Sequence, residues 1–340
     1  MSFSIRMIER RLRNVVISAH GCSLRREGDM LRVVWVDGDE ERVVRVSPHE
    51  VEQVIVAGEA SVSTGAIRLL VENSTDLVFV SHRPSFFARV VRSDSNMITE
   101  LWRRQIAMGL EERMAIAREI LLCATYNKLR MLQSIAKNRD VDFHDEIEHI
   151  TSRKEQLAVA ESTEELMGAE GEVARVYFGA LRRVIPSEMG FERREKHPPH
   201  DPVNSLLSYG YTVLHSRVEW ALMLAGLNPY EGVLHVAYRN RPALSFDLME
   251  EFRQPIVDRV VLTLIARGSV RVEDFDRGPE MCYMSENVKR MYLDALYTRM
   301  EQRYMYGGKR VELLDVIHGQ ARKLASAIRG DCEYRGFKWR

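Results

Sequence analysis

The chain is 340 residues long, 45% hydrophobic and 29% charged, and its 49 Lys and Arg balance 49 Asp and Glu for a formal net charge of +0. That length can build two domains with separate cores, the composition excludes a disordered chain, and the neutral total excludes nucleic-acid binding by global charge, leaving only local concentrations of it. Cys22, Cys123, Cys282 and Cys332 form no CxxC pair, which argues against a zinc-thiolate site and for a reduced, cytoplasmic setting. The N-terminus is interrupted by charge too often for a signal peptide, and no apolar run of about 18 residues offers a membrane span.

The first 90 or so residues read as β-rich. Strands are expected at 14–19, 31–36, 42–46, 53–56, 77–81 and 87–91, with Asp37-Gly38 and Glu27-Gly28-Asp29 as turns and a short helix over 64–72. The 77–81 strand is expected to present an open edge. Polar residues around Arg92-Ser93-Asp94-Ser95-Asn96 read as a linker, and the pattern beyond it is helical to the end. A long helical stretch over 98–137 bends near Gly109, and the charged 138–161 region reads as a short exposed helix and loop. Ser162 and Glu165 form a capping box for the next helix. Residues 186–200 are an irregular basic loop. Asp201-Pro202 starts a long apolar helix, with Asp as N-cap and Pro at the first helical position, and Gly226 and Pro229 stop it. Ser245 is expected to cap a helix from Phe246, and Ser285 another through Arg303; Gly307-Gly308 then separates it from a last helix over 309–329.

Chemistry concentrates between Asp201 and Arg259. His235 follows an apolar segment, and Asp247 and Glu250 are three residues apart, hence on one helical face. A histidine delivered by a loop towards two carboxylates suits a divalent ion, and one imidazole with oxygen donors suits Mn²⁺ or Mg²⁺ better than zinc or a redox metal. The plain alternatives are a solvated acidic face and an isolated histidine, although Phe246, Leu248, Met249 and Phe252 leave little polar face around the carboxylates. Glu170 lies between Gly168 and Gly171, two glycines that cost a helix about 1 kcal/mol each relative to Ala. They point either to close helix packing or to a backbone approached by a ligand. Arg182, Arg183, Arg193, Arg194 and Lys196 gather positive charge nearby, as a phosphodiester substrate requires. No phosphate loop, GxGxxG or GxSxG motif is present.

Over nearly its full length the chain resembles the CRISPR-associated adaptation integrases, the Cas-one family. HGCSLRREGDML and VSTGAIRLLVENSTDLVFVS resemble that family's N-terminal β-domain. GAEGEVARVYFGAL, DPVNSLLSYGYTVL, AGLNPYEGVLH and ALSFDLMEEFR resemble its helical catalytic domain, in the same order. The resemblance implies Glu170, His235 and Glu250 as catalytic metal ligands, with Asp247 either a further ligand or an orienting group. It also implies homodimers formed through the β-domain, a small ferredoxin-like partner, Cas-two, and insertion of short DNA fragments into a repeat array.

The expected fold is therefore α+β: an N-terminal β-rich domain over 1–92, a linker over 93–97 and a larger all-α catalytic domain over 98–340. The expected function is metal-dependent cleavage and strand transfer on double-stranded DNA, with Arg193, Arg194 and Arg253 as phosphate contacts. The alternatives are a stand-alone nuclease for branched DNA and a catalytically silent DNA-binding scaffold.

Overall fold

The structure is a computed structural model. It describes every residue outside 1–3, 9–10, 18–20, 38–39, 52, 58–59, 74, 81–85, 91–96, 196–197, 236–240, 279–280 and 340. The 92–96 linker, Gly38 and Lys196 lie outside the described residues. The chain divides into two compact units, Met1–Asn96 and Met97–Arg340.

The first unit holds strands β1 (Ser4–Ile8), β2 (Arg11–Ile17), β3 (Cys22–Glu27), β4 (Met30–Asp37), β5 (Glu40–Val46), β6 (Gln53–Ala57) and β7 (Ala60–Val62). Helix α1 (Thr64–Glu72) and strands β8 (Asp76–Val80) and β9 (Phe86–Val90) complete it. They form a five-stranded sheet, β1-β2-β6-β8-β9, and a four-stranded one, β5-β4-β3-β7. Alternation decides which side chains meet. Val15 and Ile17, Leu24, Leu31 and Val33, Val54 and Val56, and Leu77 pack with Ala66, Leu69 and Leu70 of α1 in one core. Ser63 caps α1, its hydroxyl accepting from the Ala66 N–H at 3.2 Å. β8 is not an open edge: it pairs parallel with β6 and antiparallel with β9. Strands β1, β3 and β7 go beyond the expected set, and all three carry polar or small residues that blur the period-two signal.

The second unit is helix-rich. Helices α2 (Met97–Ala107) and α3 (Leu110–Arg139) flank Gly109, and the Glu112 carboxylate accepts from the Gly109 N–H at 3.0 Å. Next come α4 (His144–Val159), α5 (Thr163–Arg182), α6 (Pro202–Leu224), α7 (Ala243–Met249) and α8 (Arg259–Ala266). The charged α4 is a full amphipathic helix, not a short exposed one, because Ile150 and Leu157 bury a stripe the surrounding charges mask. The Ser162 hydroxyl accepts from the Glu165 N–H at 3.2 Å, so Ser162 caps α5, but the Glu165 carboxylate accepts from the Glu161 N–H at 2.9 Å in place of the reciprocal bond to Ser162 that a capping box has. Asp201 caps α6, accepting from the Asn204 N–H at 2.9 Å. Helix α6 is buried almost all round and packs against α7, α8 and the helix over Leu313–Arg329.

Beyond α8 the chain is not purely helical. Strands β10 (Phe275–Arg277) and β11 (Cys282–Met284) form one ribbon before α9 (Glu286–Glu301). Strands β12 (Arg303–Tyr306) and β13 (Lys309–Glu312) form a second before α10 (Leu313–Arg329). Gly307 and Gly308 are therefore a hairpin turn, with φ of 58° and 78°, and not a break between helices. No helix among the described residues is long and apolar enough to cross a membrane.

One buried group ties this packing to pH. His318 on α10 lies edge-on to Trp220, and its Nε2 is buried without a partner. Burial, helped by the charges of Arg322 and Arg217, pulls its pKa from 6.5 down to about 4. Between those values the unfolded chain holds the proton and the folded one does not, so stability falls as pH falls through that window. The contribution is about 3 kcal/mol at the acid end. Denaturant titrations at pH 7 and pH 4.5 should show a smaller acid loss for His318→Leu than for the parent; equal losses would remove His318 from the account.

Candidate metal and phosphoryl-transfer site

Helix α6 ends where Gly226 takes φ of 81°, and the chain then passes Pro229 to the tight turn at Gly232. A Cβ at Gly232 would stand 2.3 Å from the His235 carbonyl oxygen, 2.8 Å from the Ala243 Cβ and 3.0 Å from Asp247 Oδ2. Only glycine lets this loop lie against the start of α7. Asp247, fully buried, receives the loop. Its Oδ2 accepts from the N–H groups of Val233 at 2.7 Å and Leu234 at 3.1 Å. Its Oδ1 accepts from the His235 N–H at 3.2 Å and lies 2.6 Å from His235 Nδ1. Both oxygens are thus engaged. With the Nδ1 proton assigned to the Asp247 bond, the Nε2 lone pair is left outward on a ring whose side chain is 43% exposed. The Asp247 bond raises the His235 pKa against desolvation, and the charges of Asp247 and Glu250 add to it.

Helix α7 begins at Ala243 with Pro242 in the capping position, one turn earlier than expected. Ser245 therefore sits inside the helix and does not cap it; its Oγ is buried without a hydrogen-bond partner. Glu250 follows the last residue of α7 and is 8% exposed, with Oε1 2.8 Å from Arg253 Nη2. Residues Arg253–Asp258 wind as a π-helical turn before α8, a rare geometry that concentrates at functional sites. The Arg253 guanidinium lies over the Tyr211 ring at 4.8 Å. Burial would pull its pKa down, but the charges of Glu250, Tyr211, Glu170 and Asp258 outweigh this and raise it.

Asp258 fixes the third element. Its Oδ2 accepts from Tyr177 Oη at 2.8 Å and its Oδ1 from Tyr211 Oη at 2.6 Å, all three groups being buried. Tyr177 is two turns along α5 from Glu170 and so on the same face. The Tyr177–Asp258–Tyr211 bridge locks that face of α5 to α6 and the π turn. Nothing in the residue pattern announced this bridge, because its members are far apart in sequence. Gly168 and Gly171 do not serve close helix packing: a Cβ at either would meet nothing within 4 Å. They leave an open lane beside Glu170.

The charges of Glu170 and Glu250 both act on Arg253, and that of Glu250 acts on His235. Among the described residues no three His, Cys, Asp or Glu side chains are drawn together tightly enough to hold an ion, and Glu250 is turned to Arg253. The donor set nonetheless fits a hard divalent cation: one imidazole with a free, oriented nitrogen and two carboxylates, one of them neutralised by a local guanidinium.

The basic loop divides. Arg193 is 83% exposed on its side chain and 3.6 Å from Glu195. Arg194 instead points inward, donating to Asn204 Oδ1 at 2.8 Å, to Ser208 Oγ at 3.1 Å and to the Glu195 carbonyl, and stacking on Tyr211 at 5.4 Å. It is a structural cation, not a loop charge awaiting phosphate. We expect Arg193→Ala to lower the salt slope of DNA binding by about one contact and to leave stability unchanged. Arg194→Ala should lower the melting temperature. Fluorescence anisotropy across salt, with a melt of each variant, checks both; an unchanged slope for Arg193→Ala would place the DNA elsewhere.

The model for the family described as CRISPR associated protein Cas1 matches residues 15–298. The chain is similar to the CRISPR-associated endonuclease Cas1 1 of Methanospirillum hungatei, with 31% identity over 332 residues, 97% of this chain and 100% of that protein. Its fold is similar to that of a casposase bound to integration product, at a TM-score of 0.80 and 22% identity, covering 95% of this chain and 97% of that one. It is also similar to a chain of a partial Cas6-RT-Cas1–Cas2 complex, at 0.79 and 22%, covering 96% and 99%. The match to the family model and the full-length relative agree with the fold, and the chain belongs to the Cas1 family of CRISPR-associated proteins.

Proposed function

We propose that this chain is a divalent-metal-dependent DNA endonuclease and integrase of CRISPR adaptation, inserting short DNA fragments into a repeat array by phosphoryl transfer. Within a Cas1-family chain, the observation that carries the reading is the His235 imidazole pinned through Nδ1 to fully buried Asp247, which leaves Nε2 as the ring's available donor, with the Glu250 charge acting on the same ring. Glu170, His235 and Glu250 are the proposed ligands, Mg²⁺ or Mn²⁺ the proposed ion, and Asp247 an orienting group with no oxygen to spare. When bound, the ion supplies Lewis-acid polarisation of a phosphate oxygen. Asp247 keeps the His235 tautomer and ring angle fixed. Arg253, whose side chain is 22% exposed, balances Glu250 and is the proposed phosphate contact, and the open lane beside Gly168 and Gly171 gives a DNA backbone access to Glu170.

The proposed partners are double-stranded DNA, a second copy of this chain and a small ferredoxin-like Cas2 protein. The named relative is an endonuclease, and the structural neighbours are a casposase holding integration product and a Cas1–Cas2 assembly. Dimerisation is assigned to the first unit, whose outer strand β5 offers a seven-residue edge. Light scattering at micromolar concentration should give twice the chain mass.

The deciding assay offers a supercoiled repeat plasmid and a short duplex with Mg²⁺ or Mn²⁺. A covalent plasmid–duplex joint that needs the duplex 3′-hydroxyl is the expected product. Metal-dependent cleavage without joining would favour a stand-alone nuclease for branched DNA. DNA binding without metal-dependent chemistry would leave a scaffold.

A further inference from the structure

The C-terminal segment is the part of the molecule that the site does not yet explain. Helix α10 ends at Arg329, and Gly330, with φ of 88°, turns the chain back. Residues 333–339 form no helix or strand, yet Tyr334 and Phe337 are buried. A buried irregular segment must satisfy its backbone polar groups one by one, and the partners used here are specific. The Phe337 N–H donates to Glu251 Oε2 at 2.7 Å, and Tyr334 Oη donates to Glu251 Oε1 at 2.8 Å. Asn127, fully buried on α3, donates through Nδ2 to both the Phe337 carbonyl at 3.0 Å and the Glu251 carbonyl at 2.8 Å. Its Oδ1 accepts from the Trp339 N–H at 2.7 Å. One amide therefore ties the tail and the carboxylate turn to the same helix.

Apolar contacts converge on the same residues. The Phe337 ring stacks on Phe252 at 5.2 Å and 13°. A Cβ at Gly336 would come within 2.7 Å of Glu251 Oε1 and of Cys123 Sγ, so the chain passes where no side chain fits. The Trp339 ring lies beneath the guanidinium groups of Arg259 at 5.1 Å and Arg299 at 5.9 Å. Arg299 in turn donates to the Pro255 carbonyl, inside the π turn, at 2.7 Å. The tail thus holds residues 251 and 252 directly, and reaches 255 only through Arg299, on either side of Arg253 and directly after Glu250.

We infer that Tyr334–Trp339 is a positioning strap for the Glu250–Arg253 turn, and that its contacts to Glu251 set how well Glu250 serves a divalent cation. This rests on the reading of Glu250 as a metal ligand. Glu251 cannot shift without moving Glu250; the strap fixes the Glu251 carboxylate, while Asn127, which also holds the Phe337 carbonyl, fixes the Glu251 carbonyl.

The test titrates Mn²⁺ into the full-length chain, following free Mn²⁺ by electron paramagnetic resonance, with a thermal melt of each variant. Tyr334→Phe removes only the hydroxyl on Glu251 and keeps the buried ring. It should weaken Mn²⁺ binding about tenfold, as loss of a group that orients a ligand does, with a smaller drop in melting temperature than Leu324→Ala gives. Truncation after Glu333 should weaken binding further. Leu324→Ala on α10, also fully buried, should lower the melting temperature and leave Mn²⁺ affinity unchanged. If Tyr334→Phe binds Mn²⁺ like the parent while Glu250→Gln does not, the strap is overturned and the ligand reading stands. An affinity loss for Leu324→Ala as large as that for Tyr334→Phe would also overturn it, as would a folded truncation with parental affinity. If Glu250→Gln itself binds like the parent, the ligand reading fails and the strap falls with it.

Discussion

Glu170→Ala, His235→Ala and Glu250→Ala should each lower DNA cleavage and strand transfer by about a thousandfold. A metal ion contributes several kcal/mol of transition-state charge stabilisation, and each 1.4 kcal/mol or so is a factor of ten in rate. The three losses should not look alike in stability. His235 is half-exposed, and Glu170 is joined to the locked face of α5 without being one of its ties, so those variants should melt near the parent. Glu250 is the counter-charge of Arg253 at 2.8 Å in a largely buried pair. Its removal strands the guanidinium, at a cost of about 3 kcal/mol, and Glu250→Gln is the milder probe. Rates in Mg²⁺ and Mn²⁺, with a melt for each variant, check all three. Near-parental cleavage by any one would remove that residue from the ligand set.

Asp247→Asn and Asp247→Ala should fail in different ways. The alanine variant leaves the N–H groups of Val233, Leu234 and His235 without their acceptor. Unsatisfied buried donors cost about 1–3 kcal/mol each, so the 233–235 loop should come loose and the melting temperature drop sharply. The asparagine variant keeps one oxygen and the shape. It loses the charge that holds the His235 Nδ1 proton in place, so it should fold while metal affinity drops about tenfold to a hundredfold. Calorimetric metal titration separates this from direct ligation. Complete loss of binding in a well-folded Asp247→Asn would make Asp247 a ligand after all.

The distance between sequence and structure is uneven along the chain. Helix starts at Ser162, Asp201 and Ser285 were legible because a cap is a bond between residues three apart. The helix over 64–72 was legible for a similar reason, its apolar residues recurring on one local face. Ser245 misled because a serine before an apolar run resembles a cap, whereas the loop from Pro242 sets where α7 begins. Gly307-Gly308 misled because glycine pairs end helices and turn hairpins alike. Arg194 read as a loop charge because a sequence does not say that Tyr211, Asn204 and Ser208 wait beneath it. No local pattern marked Tyr334 and Phe337 as buried; Asn127 and Glu251 hold that segment in place.

The sequence by itself determined the two-part α+β organisation and most helix starts, and the family resemblance singled out Glu170, His235 and Glu250 as the ligands to test. These follow from periodicity, from bonds a few residues long and from short motifs, all properties of neighbouring residues. Only the tertiary structure decided that Asp247 orients His235 and that Arg253 neutralises Glu250. It alone decided that Tyr177, Asp258 and Tyr211 lock α5 to the π turn, and that Asn127 and Glu251 hold Phe337. Those roles are partnerships between buried polar groups as many as 210 positions apart, as from Asn127 to Phe337. A buried polar group takes whichever partner the packed core brings within reach, and no local pattern records that choice.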